Sequence, residues 1–303
     1  MKKLLTALLS VSVILMPLQM AQANDQKVLA IIDTAIDSTK VPSVIYEACF
    51  TSNQSCPNET NSMEGKGSAN STGPIFDRPG ASGKKIRFVT VWPTSTRSAI
   101  YHGTNMTQTA LLTSPNIKIV FVRIANITGV GGSSNEANSI AEAIRWVSNN
   151  ASKYSIDAVS ISQSSISTNN LTRCTNDTII TNAVSQLNSQ SIPVFASTGN
   201  DRLTDKVGFP SCVNGVIGVG ALAWSKNTKL PTDYTIMSPV TNRGPGLDVV
   251  AQGEQTIGTA DHTGTSVATA IAASLYVDKT TDKNVNNFIG KFSKVLNYPY
   301  ISK

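Results

Sequence analysis

Apolar and polar positions alternate along this chain on two different scales. Residues 28–32, 86–91, 117–122, 156–161, 192–196, 216–219 and 247–251 are short runs rich in Val, Ile, Leu and Ala. Such runs read as strands buried on both faces. Between them the period lengthens. Residues 139–149 place Ile140, Ala143, Ile144 and Val147 on one helical face, and residues 178–189 do the same with Ile179, Ala183 and Leu187. Alternation of strand-like and helix-like segments predicts βαβ units, hence an α/β fold: a single domain with a mostly parallel central sheet and helices on both faces. The stretch 51–85, rich in Ser, Asn and Gly, reads as a long surface loop. Residues 285–296 predict an amphipathic helix with Phe288, Phe292 and Val295 inward.

Composition narrows the class. Of 303 residues, 40% are hydrophobic and only 15% charged, so the chain can bury a large core. The N-terminus stands apart: Lys2 and Lys3 precede an apolar stretch over residues 4–16, then Pro17 and the small-residue pattern Ala21-Gln22-Ala23. This predicts a signal peptide over residues 1–23 and a secreted or periplasmic protein. Its removal would leave 280 residues and lower the net charge from +6 to +4 by taking two lysines. The remaining basic excess is small and diffuse, which argues against a nucleic-acid partner, and no later apolar run is long enough to span a membrane. The oligomeric state is open. Cys49, Cys56, Cys174 and Cys212 are even in number and include no Cys-x-x-Cys pair, so in an oxidising compartment disulfides are favoured over zinc. Three connectivities are allowed. Cys49–Cys56 with Cys174–Cys212 is the preferred one, because each pair flanks a polar loop.

Ligands of open α/β sheets bind at the carboxyl ends of the strands, so polar residues there are the first candidates for chemistry. Asp33 closes the run 28–32; taken alone it reads more readily as a turn cap than as a catalytic group. The chain has two histidines, His102 and His262. His102 is followed by Gly103 and by Met106, Ala110 and Leu111 at helical spacing, which suits a side chain at a helix start projecting into a cleft, though His-Gly-Thr alone reads at least as readily as a surface histidine. Ser266, in Gly264-Thr265-Ser266-Val267-Ala268, opens a second helix of small apolar residues. It reads either as a nucleophile at a helix N-terminus or as an N-cap. Asn200 ends the run 192–196 in Gly-Asn, where its amide is a candidate donor to an oxyanion or a turn residue.

Together and in this order these stretches resemble the subtilases, the subtilisin-like serine proteases, whose motifs run Asp, His, Asn, Ser. Residues 28–37 (VLAIIDTAID) resemble the family's Asp segment, His102-Gly103-Thr104 its His segment, residues 196–200 (ASTGN) its oxyanion segment, and residues 264–268 (GTSVA) its nucleophile segment. Residues 156–162, Phe209-Pro210 with residues 216–221, and Asn242-Arg243-Gly244 with residues 247–253 resemble flanking stretches, so the likeness spans about residues 28–276. It implies a serine endopeptidase acting through an acyl-enzyme, with Ser266 as nucleophile, His102 as general base, Asp33 orienting the imidazole, and Asn200 with the Ser266 backbone N–H holding the oxyanion. It also implies polypeptide substrates laid as an extended strand along Ser162, Gln163, Ser164 and Gly199, with residues 131–133 on the other side. His262, four residues before the serine, is the weaker candidate base, since no His-Gly-Thr context surrounds it.

Departures from the family pattern qualify these expectations. Thr269 stands where proline is usual, Asn105 where a second histidine is common, and Ser164 where glycine is frequent, which suggests a narrowed pocket. Only residues 24–27 separate the expected cleavage site from the first strand, so no propeptide is evident; residues 51–85 are the candidate lid. No cofactor is implied. Structural calcium, common in subtilases, is left open, because no Asp/Asn/Glu loop has the ligand spacing. Two other function classes are compatible: a catalytically inactive binding protein on the same scaffold, and an acyl transferase or esterase using the same triad.

Overall fold

Strand β1, Val28–Asp33, has all six residues buried and sits in the middle of the sheet. The computed structural model describes residues 26–52, 56–70, 75–79, 85–89, 101–124, 134–223 and 236–303; the expected signal peptide and residues 131–133 lie outside these. After β1 come β2 (Val44–Phe50), β3 (Ser62–Glu64), β4 (Ile75–Pro79), β5 (Lys85–Val89), α1 (His102–Thr113), β6 (Lys118–Arg123), α2 (Ser134–Asn150) and β7 (Ile156–Ile161). The short helices α3 (Thr168–Leu171) and α4 (Arg173–Asn176) then lead into α5 (Thr178–Ser189), β8 (Val194–Ser197), β9 (Val216–Ala223), β10 (Ile236–Met237) and β11 (Val249–Gln252). The chain ends with β12 (Glu254–Ile257), β13 (Ala260–Thr263), α6 (Thr265–Lys279), α7 (Val285–Ile289), β14 (Lys294–Val295) and β15 (Tyr298–Ile301).

The main sheet runs β14-β15-β11-β9-β8-β7-β1-β6-β2-β3, with β10 paired to β9. From β15 to β2 every neighbour is parallel; β3, β10 and β14 are antiparallel additions at the margins. Alternation along β1 divides the core. Val28, Ala30 and Ile32 pack with Ile140, Ile144 and Val147 of α2 and Ile180, Val184 and Leu187 of α5. Leu29 and Ile31 face the other way, onto Met106 and Ala110 of α1 and onto α6. Helix α6 is buried from Val267 to Val277, which accounts for its lack of a polar face. Helices thus cover both faces of a mostly parallel sheet, as the sequence predicts.

Three expectations are corrected. The described part of the run 86–91, residues 86–89, belongs to β5, which pairs with β4 in a separate two-stranded hairpin and not with the central sheet. The stretch 51–85 is not wholly irregular, since it contains β3 and β4. Residues 65–70 are pinned against the sheet, because Glu47 of β2 accepts the Gly67 and Ala69 amides at 3.0 Å each and Ile36 donates to the Ala69 carbonyl. The C-terminal helix is short: Asn284 caps α7, which ends at Ile289 with Gly290 as its C-cap. Leu296 and Asn297, at φ of 51° and 72°, then turn β14 into β15, and β15 extends the sheet beside β11. Phe288 is buried as expected, whereas Val295 lies in a strand against a different apolar cluster.

Both preferred disulfides form. Cys49 of β2 joins Cys56, and Cys174 of α4 joins Cys212, with Cα atoms 5.9 and 5.5 Å apart. Among the described residues, no helix is long and apolar enough to cross a membrane.

Candidate active site

Because β1, β7 and β8 are parallel neighbours, their carboxyl ends deliver Asp33, Ser162–Ser164 and Gly199–Asn200 to one edge of the sheet. Helices α1 and α6 start at that edge and bring His102 and Ser266. All of these except Asp33, which lies fully buried beneath, line one cleft of about 300 Å³.

Helix α1 is docked by its first turn. Gly103 N–H donates to Thr34 Oγ1 at 3.0 Å, and the Thr104 hydroxyl accepts from Asp37 N–H at 2.8 Å. A Cβ on Gly103 would lie 2.6 Å from both the Ala35 carbonyl oxygen and Phe121 Cζ. Only glycine therefore lets the helix approach closely enough for His102 to reach β1. His102 Nδ1 lies 2.8 Å from Asp33 Oδ1, which also accepts from Thr34 N–H at 2.6 Å and from Gln163 Nε2 at 3.0 Å. Asp33 Oδ2 is buried with no partner. Burial is the largest influence on the His102 pKa and pulls it down; the charge and hydrogen bond of Asp33 outweigh it, leaving the pKa above its ordinary value. The imidazole side chain is 30% exposed, so it is not closed off from the cleft.

Helix α6 is docked differently. Gly264 precedes it at φ 118°, and a Cβ there would lie 2.9 Å from Asn200 Oδ1. That close approach lets Asn200 cap the helix from another element: its Oδ1 accepts from Thr265 N–H at 3.0 Å and from Thr265 Oγ1 at 3.1 Å. With Oδ1 so engaged, Nδ2 is the end of the amide left to donate elsewhere. The loop carrying Asn200 is held in turn by buried Asn242, whose Oδ1 accepts from Asp201 and Leu203 N–H and whose Nδ2 donates to the Thr198 carbonyl. Ser266 Oγ donates to the Ser162 carbonyl at 3.0 Å instead of to His102, and Ser162 Oγ donates back to the Ser266 carbonyl at the same distance. Thr269 continues the helix unbroken, its hydroxyl donating to the Thr265 carbonyl at 2.8 Å.

The remaining candidates separate from this cluster. His262 sits on β13 opposite Gln255, away from the residues that line the cleft. None of the described residues of 51–85 lines the cleft either. Ser164 Oγ is buried without a partner, 2.8 Å from where a Gly199 Cβ would stand and closer still to that of Gly208. Among the described residues, no group of three or more His, Cys, Asp or Glu is placed to hold a metal ion. Sequence reasoning missed the Gln163 contact with Asp33, the Thr265 contact with Asn200 and the Asn242 brace. Gln163 follows a strand, Thr265 opens a helix and Asn242 lies in a loop, and each meets its partner across a long sequence separation, so no local signal flags the contact.

The family model of the subtilases matches residues 24–277, and the chain belongs to that family, the serine-type peptidases of subtilisin-like fold. Solved structures of similar fold include proteases from Pseudoalteromonas arctica, at TM-score 0.60 and 17% identity over 91% of this chain and 85% of that one. A lanthipeptide protease follows at TM-score 0.52 and 16% identity, over 83% and 72% of the two chains. A psychrophilic protease matches at TM-score 0.51 and 20% identity, over 84% and 77%. No curated protein sequence matches this one.

Proposed function

We propose that the protein is an exported serine endopeptidase that hydrolyses peptide bonds through an Asp33–His102–Ser266 triad and an acyl-enzyme. The observation that carries this reading is the 2.8 Å contact between His102 Nδ1 and buried Asp33, at the wall of the cleft that Ser266 enters from α6. Asp33 accepts the Nδ1 proton and so selects the tautomer whose Nε2 is free to act as base. An extended substrate laid along residues 162–164 offers a backbone amide to the Ser162 carbonyl and frees the Ser266 hydroxyl. Nε2 takes the hydroxyl proton as Oγ adds to the scissile carbonyl carbon. The resulting oxyanion accepts from the Ser266 backbone N–H, one of the donors a helix leaves unpaired in its first turn, and from Asn200 Nδ2. His102 returns the proton to the leaving nitrogen as the C–N bond breaks, and water repeats the cycle on the ester.

Export is part of the same proposal. All four cysteines are paired, as an oxidising compartment favours, and cleavage after Ala23 would start the mature chain just before β1. N-terminal sequencing of secreted protein tests that point. Intact-mass measurement after exposure to a fluorophosphonate tests the chemistry: one adduct mapped to Ser266, lost in Ser266→Ala and His102→Ala, is expected. A folded protein that takes no label would move the inactive binding protein to first place.

A further inference from the structure

Three donors converge on Asp33 Oδ1, and the one side chain among them that takes no part in the proton transfers above is Gln163. Gln163 is the second residue past β7, its side chain is almost fully buried, and its Nε2 lies 3.0 Å from Asp33 Oδ1 and 3.3 Å from His102 Nδ1. A carboxylate oxygen only accepts, so the amide must present its NH₂ to Asp33. The loop that carries it is fixed on both sides, by Ser162 Oγ on the Ser266 carbonyl and by the paired backbones of Ser165 and Phe209. We propose that Gln163 is a positioning residue for the Asp33–His102 pair, holding the carboxylate toward the ring and limiting how strongly that carboxylate retains the protonated imidazole. This rests on the triad reading above.

Two effects point the same way. A neutral donor on Oδ1 draws electron density from the oxygen that the imidazolium N–H must share, which weakens Asp33 as a partner for the cation. The amide hydrogens also carry partial positive charge beside Nδ1, which opposes charging of the ring directly. Gln163 therefore counteracts the pull of Asp33 and keeps His102 a free base at lower pH than the pair alone would allow. Among the described residues, no other charged side chain is paired with the ring. Of the titratable groups on elements against α1, Asp37 and Lys40 are paired with each other at 3.5 Å, and Glu254 on β12 and Asp201 in the cleft wall make no ion pair with the ring. Tyr276, Asp278 and Lys279 lie at the far end of α6. Among the described residues, Asp33 alone is within ion-pair distance of His102.

Because the chain holds only two histidines, the ring Cε1–H signals of His102 and His262 can each be followed by NMR titration, with no need for activity. Gln163→Met keeps the length of the side chain and removes the donor; Gln163→Glu keeps the shape and adds negative charge. The His102 midpoint is expected to rise by about half a unit in Gln163→Met and further in Gln163→Glu, with His262 unmoved. The acid limb of kcat/KM should move with it, a loss of about threefold at pH values on that limb. A purely substrate-binding role for Gln163 would instead raise KM and leave both the midpoint and the limb in place, and that result overturns the proposal. A shifted midpoint in a protein that neither labels nor cleaves would sustain the role of Gln163 and sink the catalytic reading. An unmoved midpoint in an active enzyme would do the reverse.

Discussion

The two halves of the site are held by different kinds of contact. Around Asp33 and His102 two of the three links to the carboxylate run from side chain to side chain and the third comes from the Thr34 backbone N–H, all meeting on one oxygen of a fully buried group. Around Ser266 and Asn200 the links run mostly to backbone: the Ser266 hydroxyl rests on a peptide carbonyl, and the Asn200 amide is clamped by the first N–H of α6. The difference follows the charge each half must carry. A buried carboxylate is costly unless donors already point at it, so its surroundings are fixed before any substrate arrives. A hydroxyl is neutral and needs one acceptor, so it can rest on Ser162 and exchange that acceptor for the imidazole at little cost.

If that contrast is right, damage to the fixed half should be severe even when the volume is preserved. Asp33→Asn keeps size and burial but turns a pure acceptor into a group that can donate, so the imidazole is held in the wrong tautomer. We expect kcat to fall about 10⁴-fold, with KM for a peptide substrate little changed. Ser266→Ala and His102→Ala, which remove reacting atoms, should each cost about 10⁶-fold. An Asp33→Asn enzyme within tenfold of the parent would mean that His102 is oriented by something other than Asp33.

A smaller loss is expected from the backbone-clamped half. Asn200→Ala deletes the proposed oxyanion donor and also the side-chain cap on Thr265 N–H. The first effect lowers kcat by about 10²–10³. The second should appear separately, as a drop in thermal stability of about 1 kcal/mol. Steady-state kinetics and a melting curve on the same variant distinguish the two roles.

What the sequence made legible follows the same contrast. The strands β1, β6, β7, β8, β9 and β11 and the helix α5 are continuous patterns that owe their burial to their own residues, and they stand out in the chain. Strand β2 did not, because Glu47 interrupts VIYEACF; its burial makes sense only once the amides of Gly67 and Ala69 are known to meet it. The C-terminal helix overran because Phe288, Phe292 and Val295 keep helical spacing past Ile289, where α7 stops, while Val295 belongs to a hairpin turned by Leu296 and Asn297 at positive φ. In the site, Asp33, His102, Asn200 and Ser266 carry recognisable local motifs. Gln163, Thr265 and Asn242 act through partners 130, 65 and 41 residues away, and no local pattern encodes such contacts.

Ser164 lies between the two halves, in the cleft wall, with its hydroxyl in space that Gly199 and Gly208 leave open. Filling that space should restrict the side chain accepted next to the scissile bond. Ser164→Gly is expected to raise kcat/KM about tenfold for peptides with a large residue there and to leave small-residue peptides unchanged, as read from a substrate library. An unaltered profile would show that the narrowing lies elsewhere.

The smallest expected effect sharpens the comparison most, because Ser162 offers two groups to Ser266. Its carbonyl accepts from the Ser266 hydroxyl, and its own hydroxyl donates to the Ser266 carbonyl. Ser162→Ala removes only the hydroxyl. If the backbone holds this half, stability should fall by about 1 kcal/mol, a shift in Tm of about 2 °C for a chain of this length, with kcat within about twofold of the parent. A 10²-fold loss of kcat at unchanged Tm would place the Ser162 hydroxyl among the groups that move the proton. The nucleophile half would then be wired through side chains as the base half is, and the contrast between them would collapse.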